Sequence, residues 1–186
     1  MKKIYNISLK LKTPLHINAG TGGDGRRVYV SDKYGAYIPA TVLKGIFRNT
    51  MEMNIKAIDP EYKCTQKEKA DQPCGCILCR LFGKAGFAQS RIVMDNLLPE
   101  KKDKEEIRTN VSINRFTRRG RDKALVTSNV VSAADEPVYS GRMTVYFTPS
   151  LLKYETALIK SLEMINSIGS GKSRGLGLAE IGVKEI

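Results

Sequence analysis

IGSGKSRGLGL, residues 168–178, sets Gly169, Gly171, Gly175 and Gly177 around Lys172 and Arg174. Glycine adopts positive φ at little cost and lets a backbone approach its neighbours closely. Two cations among the glycines point to an anionic ligand. Gly171-Lys172-Ser173 matches the end of the phosphate-binding pattern G-x-x-x-x-G-K-[ST]. The match stops there, because the first glycine of that pattern would fall on Asn166. A mononucleotide loop also needs a strand before it and a helix after it. Here a helical pattern precedes it, from Pro149 to Ser167, with Leu151, Leu158, Leu162 and Ile165 on one face. A strand-like LAEIGV follows it. The chain therefore closes as helix, glycine loop, strand, and the anion is of another kind.

The rest of the chain places that ending. Lys2 to Lys12 alternates, with Ile4, Tyr5, Ile7, Leu9 and Leu11 against Lys3, Lys10 and Lys12, and reads as a first strand with one buried face. Leu15-His16-Ile17 continues extended into the glycine-rich loop NAGTGGDGRR, and short strands are expected at Val28–Val30 and Tyr37-Ile38. Pro39 to about Ala57 reads as a helix with Val42, Leu43, Ile46 and Phe47 on its apolar stripe, and with Lys44 and Arg48 sharing another face. Ser90 to Asn96 looks like a strand, and the charged PEKKDKEE after it like an exposed loop. Arg108 to Phe116 and Leu125 to Val131 read as strands flanking a basic RRGRDK turn, an extended β-hairpin. A further strand is expected between Pro137 and Thr148. The order fits an α+β fold of the ferredoxin-like β-α-β-β-α-β plan, built as one domain over residues 1–186, with insertions at about 58–88 and 98–131.

Lys and Arg number 31 against 19 Asp and Glu, a net charge of +12 with a pI near 9.6. That balance suits a polyanion. Arg115, Arg118, Arg119, Arg121 and Lys123 fall within nine positions, which favours nucleic acid. There is no Trp, so backbone contact is expected to outweigh base stacking. No apolar run reaches the roughly twenty residues of a membrane span, and MKKIYNISLKLK does not resemble a signal peptide. A cytoplasmic protein without a membrane partner is the expectation.

Cys64, Cys74, Cys76 and Cys79 are spaced C-x9-C-x-C-x2-C in a polar, irregular stretch. In a cytosolic chain that clustering favours metal over disulfides. C-x-C and C-x2-C bring three thiolates to one turn, Pro73 and Gly75 allow the bend, and Cys64 closes a tetrahedral Zn²⁺ site across the intervening loop. Four cysteines fill the coordination sphere, so the zinc is expected to be structural. His16 is the sole histidine and, in an extended apolar stretch, reads as a packed residue before a catalyst. Asp24 is the one acid in the NAGTGGDGRR loop, and Arg26 and Arg27 follow it.

Four stretches together resemble the RAMP superfamily, and within it the repeated backbone subunit of type III CRISPR effector complexes. They are Leu15-His16-Ile17 with its glycine-rich loop, YIPATVLKGIFR at residues 37–48, NVSINRFTRRGRDKALVTSNVV, and IGSGKSRGLGLAEI. CGCILCRLFG is similar to a cysteine insertion in some members. Ala40-Thr41 departs from the Gly-Ser that usually precedes L-K-G. The resemblance implies a modified RRM fold with a basic hairpin thumb. It implies assembly with copies of itself or similar subunits, and with other effector subunits, along a CRISPR RNA. The RNA-contacting set it implies is His16, Arg26, Arg27, Lys44, Arg48, Arg115, Arg118, Arg119, Arg121, Lys172, Ser173 and Arg174. It also implies cleavage of complementary target RNA at regular intervals, with Asp24 as the catalytic residue and Mg²⁺ or Mn²⁺ as the ion. The position that aligns most directly with the family's aspartate holds an arginine, and Asp24 stands one or two places away. Two other functions remain open: a non-cleaving scaffold of the same assembly, and an endoribonuclease that processes precursor CRISPR RNA.

Overall fold

Tyr5, Ile7, Leu9 and Leu11 are all buried along the first strand, β1 (Lys2–Leu11), and the residues between them are more exposed. Ile4, expected on the buried face, falls on the opposite one. The period of two leaves no choice once Tyr5 and Ile7 point inward. The computed structural model describes residues 1–22, 27–33, 35–64 and 72–186. After β1 come β2 (Asn18–Thr21), β3 (Arg27–Tyr29), β4 (Ser31–Asp32), β5 (Gly35–Ala36), α1 (Ala40–Ile58), α2 (Ile77–Phe82), β6 (Ile92–Met94) and β7 (Leu98–Pro99). Then follow β8 (Glu105–Ile113), β9 (Gly120–Val131), β10 (Val138–Tyr146), α3 (Pro149–Leu152), α4 (Glu155–Glu163), a 3-10 turn at Lys172–Arg174, and β11 (Ala179–Glu185).

The main sheet runs β11-β1-β10-β6, every pair antiparallel, and β7 pairs with the far end of β10. The result is a mixed α+β architecture with its core between this sheet and the helices. Leu43, Phe47 and Met51 of α1 are buried at helical spacing, as are Leu158 and Leu162 of α4, and the two helices pack together. Each such side chain contributes about 1.5–3 kcal/mol of apolar burial. No side chain of its own caps α1; the Asn96 side-chain oxygen, from the loop after β6, accepts the Ala40 amide at 2.8 Å.

The second helical region is not continuous. It breaks at Lys153-Tyr154 into α3 and α4. Glu155 then opens α4, where an acid suits a helix N-terminus, and accepts bonds from Lys3 Nζ at 2.6 Å and Tyr5 Oη at 2.7 Å. The expected inward positions Leu151, Leu158, Leu162 and Ile165 are all buried despite the break.

The charged stretch after β7 is also more structured than its composition suggests. Asp103 is half-buried and accepts from Tyr139 Oη at 2.8 Å, and β8 begins at Glu105. β8 and β9 pair as a long hairpin, but its turn is Asn114–Arg119 rather than RRGRDK. Asn114 Oδ1 accepts the amides of Phe116 and Thr117, and Arg118 turns with φ 53°. Asn is suited to such local bonding, and this frees Gly120 to Lys123 to join the strand. The hairpin roots at Val130 and Val131, which are buried, and stands clear beyond them: Phe116 at the tip is 98% exposed.

Candidate nucleic-acid interface and metal centre

His16 sits where three elements meet. Leu15 and Val131 exchange backbone bonds at 3.0 and 2.8 Å, which brings the extended segment against the root of β9. His16 Nδ1 then lies 2.8 Å from the Asn129 carbonyl oxygen. A carbonyl only accepts, so Nδ1 carries the proton. On the other side the His16 carbonyl accepts from Ser170 N at 2.8 Å and Ser170 Oγ at 3.1 Å. The residue is 3% exposed, and its Nε2 is buried with no hydrogen-bond partner among the described residues.

The glycine loop is built around this segment. A Cβ on Gly177 would fall 1.8 Å from the Ile168 carbonyl oxygen, and Gly177 N donates to the Pro14 carbonyl at 2.8 Å. Two of the glycines, Gly169 and Gly177, thus serve close approach to the chain's own backbone. Gly171 and Gly175, with φ of 77° and 78°, flank the 3-10 turn that carries Lys172, Ser173 and Arg174, all exposed.

Between this loop and the hairpin lies a groove of about 660 Å³, with His16, Arg108, Ser128, Ser170, Ser173 and Arg174 on its walls. Arg108 of β8 and Arg27 of β3 flank Ser128 in register on either side of β9. Nothing in the sequence singles out Arg108, Ser128 or Ser170. Arg108 becomes visible only through its pairing with Ser128. Arg115, Arg118, Arg119 and Arg121 are exposed further along the same hairpin. The groove and hairpin together make a cationic track with hydroxyls, suited to a phosphate backbone. Asp24 and Arg26 lie outside the described residues, as does the side chain of Arg27.

Lys44 and Arg48 have partners inside the protein. Lys44 Nζ donates to Ser90 Oγ and to the Ile92 carbonyl, both at 2.7 Å. Burial first, and then Arg48 nearby, lower its pKa. Arg48 donates to the Gly83 carbonyl at 2.8 Å and to Cys79 Sγ at 3.3 Å.

The ligand sulfurs of Cys64, Cys74, Cys76 and Cys79 all lie within 4.8 Å of one another. The Sγ of Cys64 is 3.7 Å from that of Cys79 and 3.5 Å from that of Cys76. A tetrahedron of sulfurs at zinc's bond length has edges of about 3.8 Å, so the donor set fits such a metal. Cys76 caps α2, its sulfur accepting the Cys79 amide at 3.5 Å. Burial pushes the Cys79 thiol up to about 12 and raises that of Cys76.

The sequence profile of the RAMP superfamily matches residues 8–180. The chain belongs to the RAMP superfamily. RAMP proteins are CRISPR-associated, and membership makes this a CRISPR-associated RNA-binding protein in the general sense, one that associates with CRISPR RNA and other effector subunits. No curated protein matches it. The matched span includes the hairpin, the glycine loop and all four cysteines of this RAMP protein. Among its described residues no helix is long and apolar enough to cross a membrane.

Proposed function

We propose that this RAMP protein is a repeated backbone subunit of a type III CRISPR effector complex, and that CRISPR RNA runs through the groove between the β8–β9 hairpin and the glycine loop. One observation carries the proposal: Arg108 of the hairpin and Arg174 of the glycine loop line one groove, with His16 and four serines on its walls. The proposed contacts are His16, Arg26, Arg27, Arg108, Lys172, Ser173 and Arg174, with Arg115, Arg118, Arg119 and Arg121 of the thumb reaching the guide–target duplex. Lys44 and Arg48, with their internal partners, are assigned to holding α1 in place.

The fold proposed is the ferredoxin-like, modified RRM plan over residues 1–186, with the cysteine and hairpin segments as insertions. It is supported by the strand order, in which the units β1-α1-β6 and β10-α4-β11 interleave with β1 and β10 in the centre. The four cysteines would hold a structural Zn²⁺. Copies of the subunit would assemble as a filament along the guide in the cytoplasm.

Cleavage of target RNA at regular intervals is proposed to depend on Asp24 with Mg²⁺ or Mn²⁺. The carboxylate would help place an ion that organises the nucleophile and the scissile phosphate, and the hairpin would hold the distorted backbone in line. A precursor-processing endoribonuclease that uses histidine is less well supported, because His16 is buried with Nδ1 committed to Asn129. The test is to incubate the guide-loaded assembly with labelled target RNA and Mg²⁺. Products at regular steps of about six nucleotides, lost in Asp24→Ala with guide binding kept, are expected. Guide binding without target cleavage by the unaltered protein would mark a scaffold instead.

A further inference from the structure

Arg48 stands between helix α1 and the cysteine cluster. Its two terminal nitrogens divide their work: one donates to Cys79 Sγ at 3.3 Å, the other to the Gly83 carbonyl at 2.8 Å. Both acceptors belong to α2 and its cap, and Gly83 N itself bonds the Cys79 carbonyl at 3.1 Å. The guanidinium carbon lies 5.9 Å from the centre of the Phe82 ring, which meets Phe47 of α1 edge-on at 5.0 Å. Gly83 cannot be displaced easily: with φ 84°, a Cβ there would fall 2.7 Å from Ser90 N. The fork of Arg48 therefore reads a fixed turn whose first residue is a candidate metal ligand.

The electrostatics give this contact a purpose. Zn²⁺ with four thiolates carries a net charge of −2, and Cys79 is fully buried, where a charge needs compensation. Outer-shell donors to metal ligands fix the ligand and stabilise its charge. The planar guanidinium can serve a sulfur and a carbonyl together, which a lysine ammonium on a flexible stem does less well.

We propose that Arg48 is a positioning residue of the metal centre, neutralising the Cys79 thiolate and tying α1 to the metal-bound turn. The proposal rests on the metal-binding reading of the four cysteines. Its test is the full-length protein and the variants Arg48→Met and Arg48→Lys, each loaded with Zn²⁺ and, separately, with Co²⁺. Zinc affinity is measured by competition with a chromophoric chelator, and the sulfur-to-cobalt charge-transfer band is recorded. Arg48→Met is expected to weaken zinc binding by about 10–100-fold and to shift the cobalt band, and Arg48→Lys to recover only part of either. Affinity and band equal to the unaltered protein in either folded variant would overturn the proposal. Should Arg48→Met fail to fold, Arg48→Lys still decides it. An unaltered protein that takes up neither metal would overturn the metal reading itself, and the proposal with it.

Discussion

A Cβ placed on Gly169 would fall 2.5 Å from the carbonyl oxygen of His16. The two residues lie 153 positions apart in sequence (169 − 16), yet their backbones are in contact. Ser170, the next residue, bonds that same carbonyl through both its amide and its hydroxyl. The glycine loop is thus part of the fold's closure as well as one wall of the groove.

Gly169→Ala should destabilise the protein by about 2 kcal/mol or more, through its φ of 82° and the clash with His16. Gly45→Ala should do the opposite. Gly45 lies within α1 with nothing within 4 Å of an added Cβ, so the helix gains about 0.5–1 kcal/mol. Urea midpoints that shift in opposite directions, at unchanged slope, would bear this out. Equal shifts would remove the distinction between the two glycines.

The cationic track makes a salt-dependent prediction. Removing one cation that neutralises a phosphate should flatten the log–log salt slope for single-stranded RNA by about 0.7. Arg108→Ala with Arg174→Ala should therefore flatten it by about 1.4. Arg118, Arg119 and Arg121 changed together to Ala should flatten it by about 2, with little dependence on RNA sequence. Titrations of fluorescent oligonucleotides across a salt series measure both, and an unchanged slope would take the altered residues off the track.

Asp103 gives a pH signature. Burial raises its carboxyl pKa, against the opposing pull of the Tyr139 hydroxyl and the Ala36 amide. A carboxyl with a raised folded pKa holds its proton longer in the folded chain than in the unfolded one. Its contribution is fully present below the unfolded pKa of about 3.9 and is lost as pH rises through the folded value. Asp103→Asn keeps a neutral acceptor for Tyr139. It should melt with the parent near pH 4 and above it at neutral pH, by less than about 3 °C. Thermal melts at the two pH values check the sign.

Local pattern carried much of this fold. The alternation from Tyr5 to Leu11 and the α1 stripe are periodicities that burial then obeys, with Leu43 and Phe47 buried and Val42 and Ile46 half-buried beside them. The cysteine cluster was legible because C-x-C and C-x2-C fix three sulfurs within one turn. The break at Lys153-Tyr154 was not; Glu155, which opens α4 just after it, is held by Lys3 and Tyr5 from the distant β1. Arg108 was hidden for the same reason: its place beside Ser128 follows from hairpin register. Arg48 could be read as one of a pair on a helix face, but its bond to Cys79 joins residues 31 apart. What sequence spacing leaves out in each case is a contact between distant segments.

Whether RNA occupies the groove between hairpin and glycine loop is tested most directly by photocrosslinking. The protein is crosslinked to 4-thiouridine-labelled CRISPR RNA and the modified peptides are mapped. Crosslinks on β8, β9 and residues 168–176 are the predicted result. Crosslinks confined to the open face of the main sheet, at Asn6, Ser8, Ser140, Arg142 and Lys184, would contradict it.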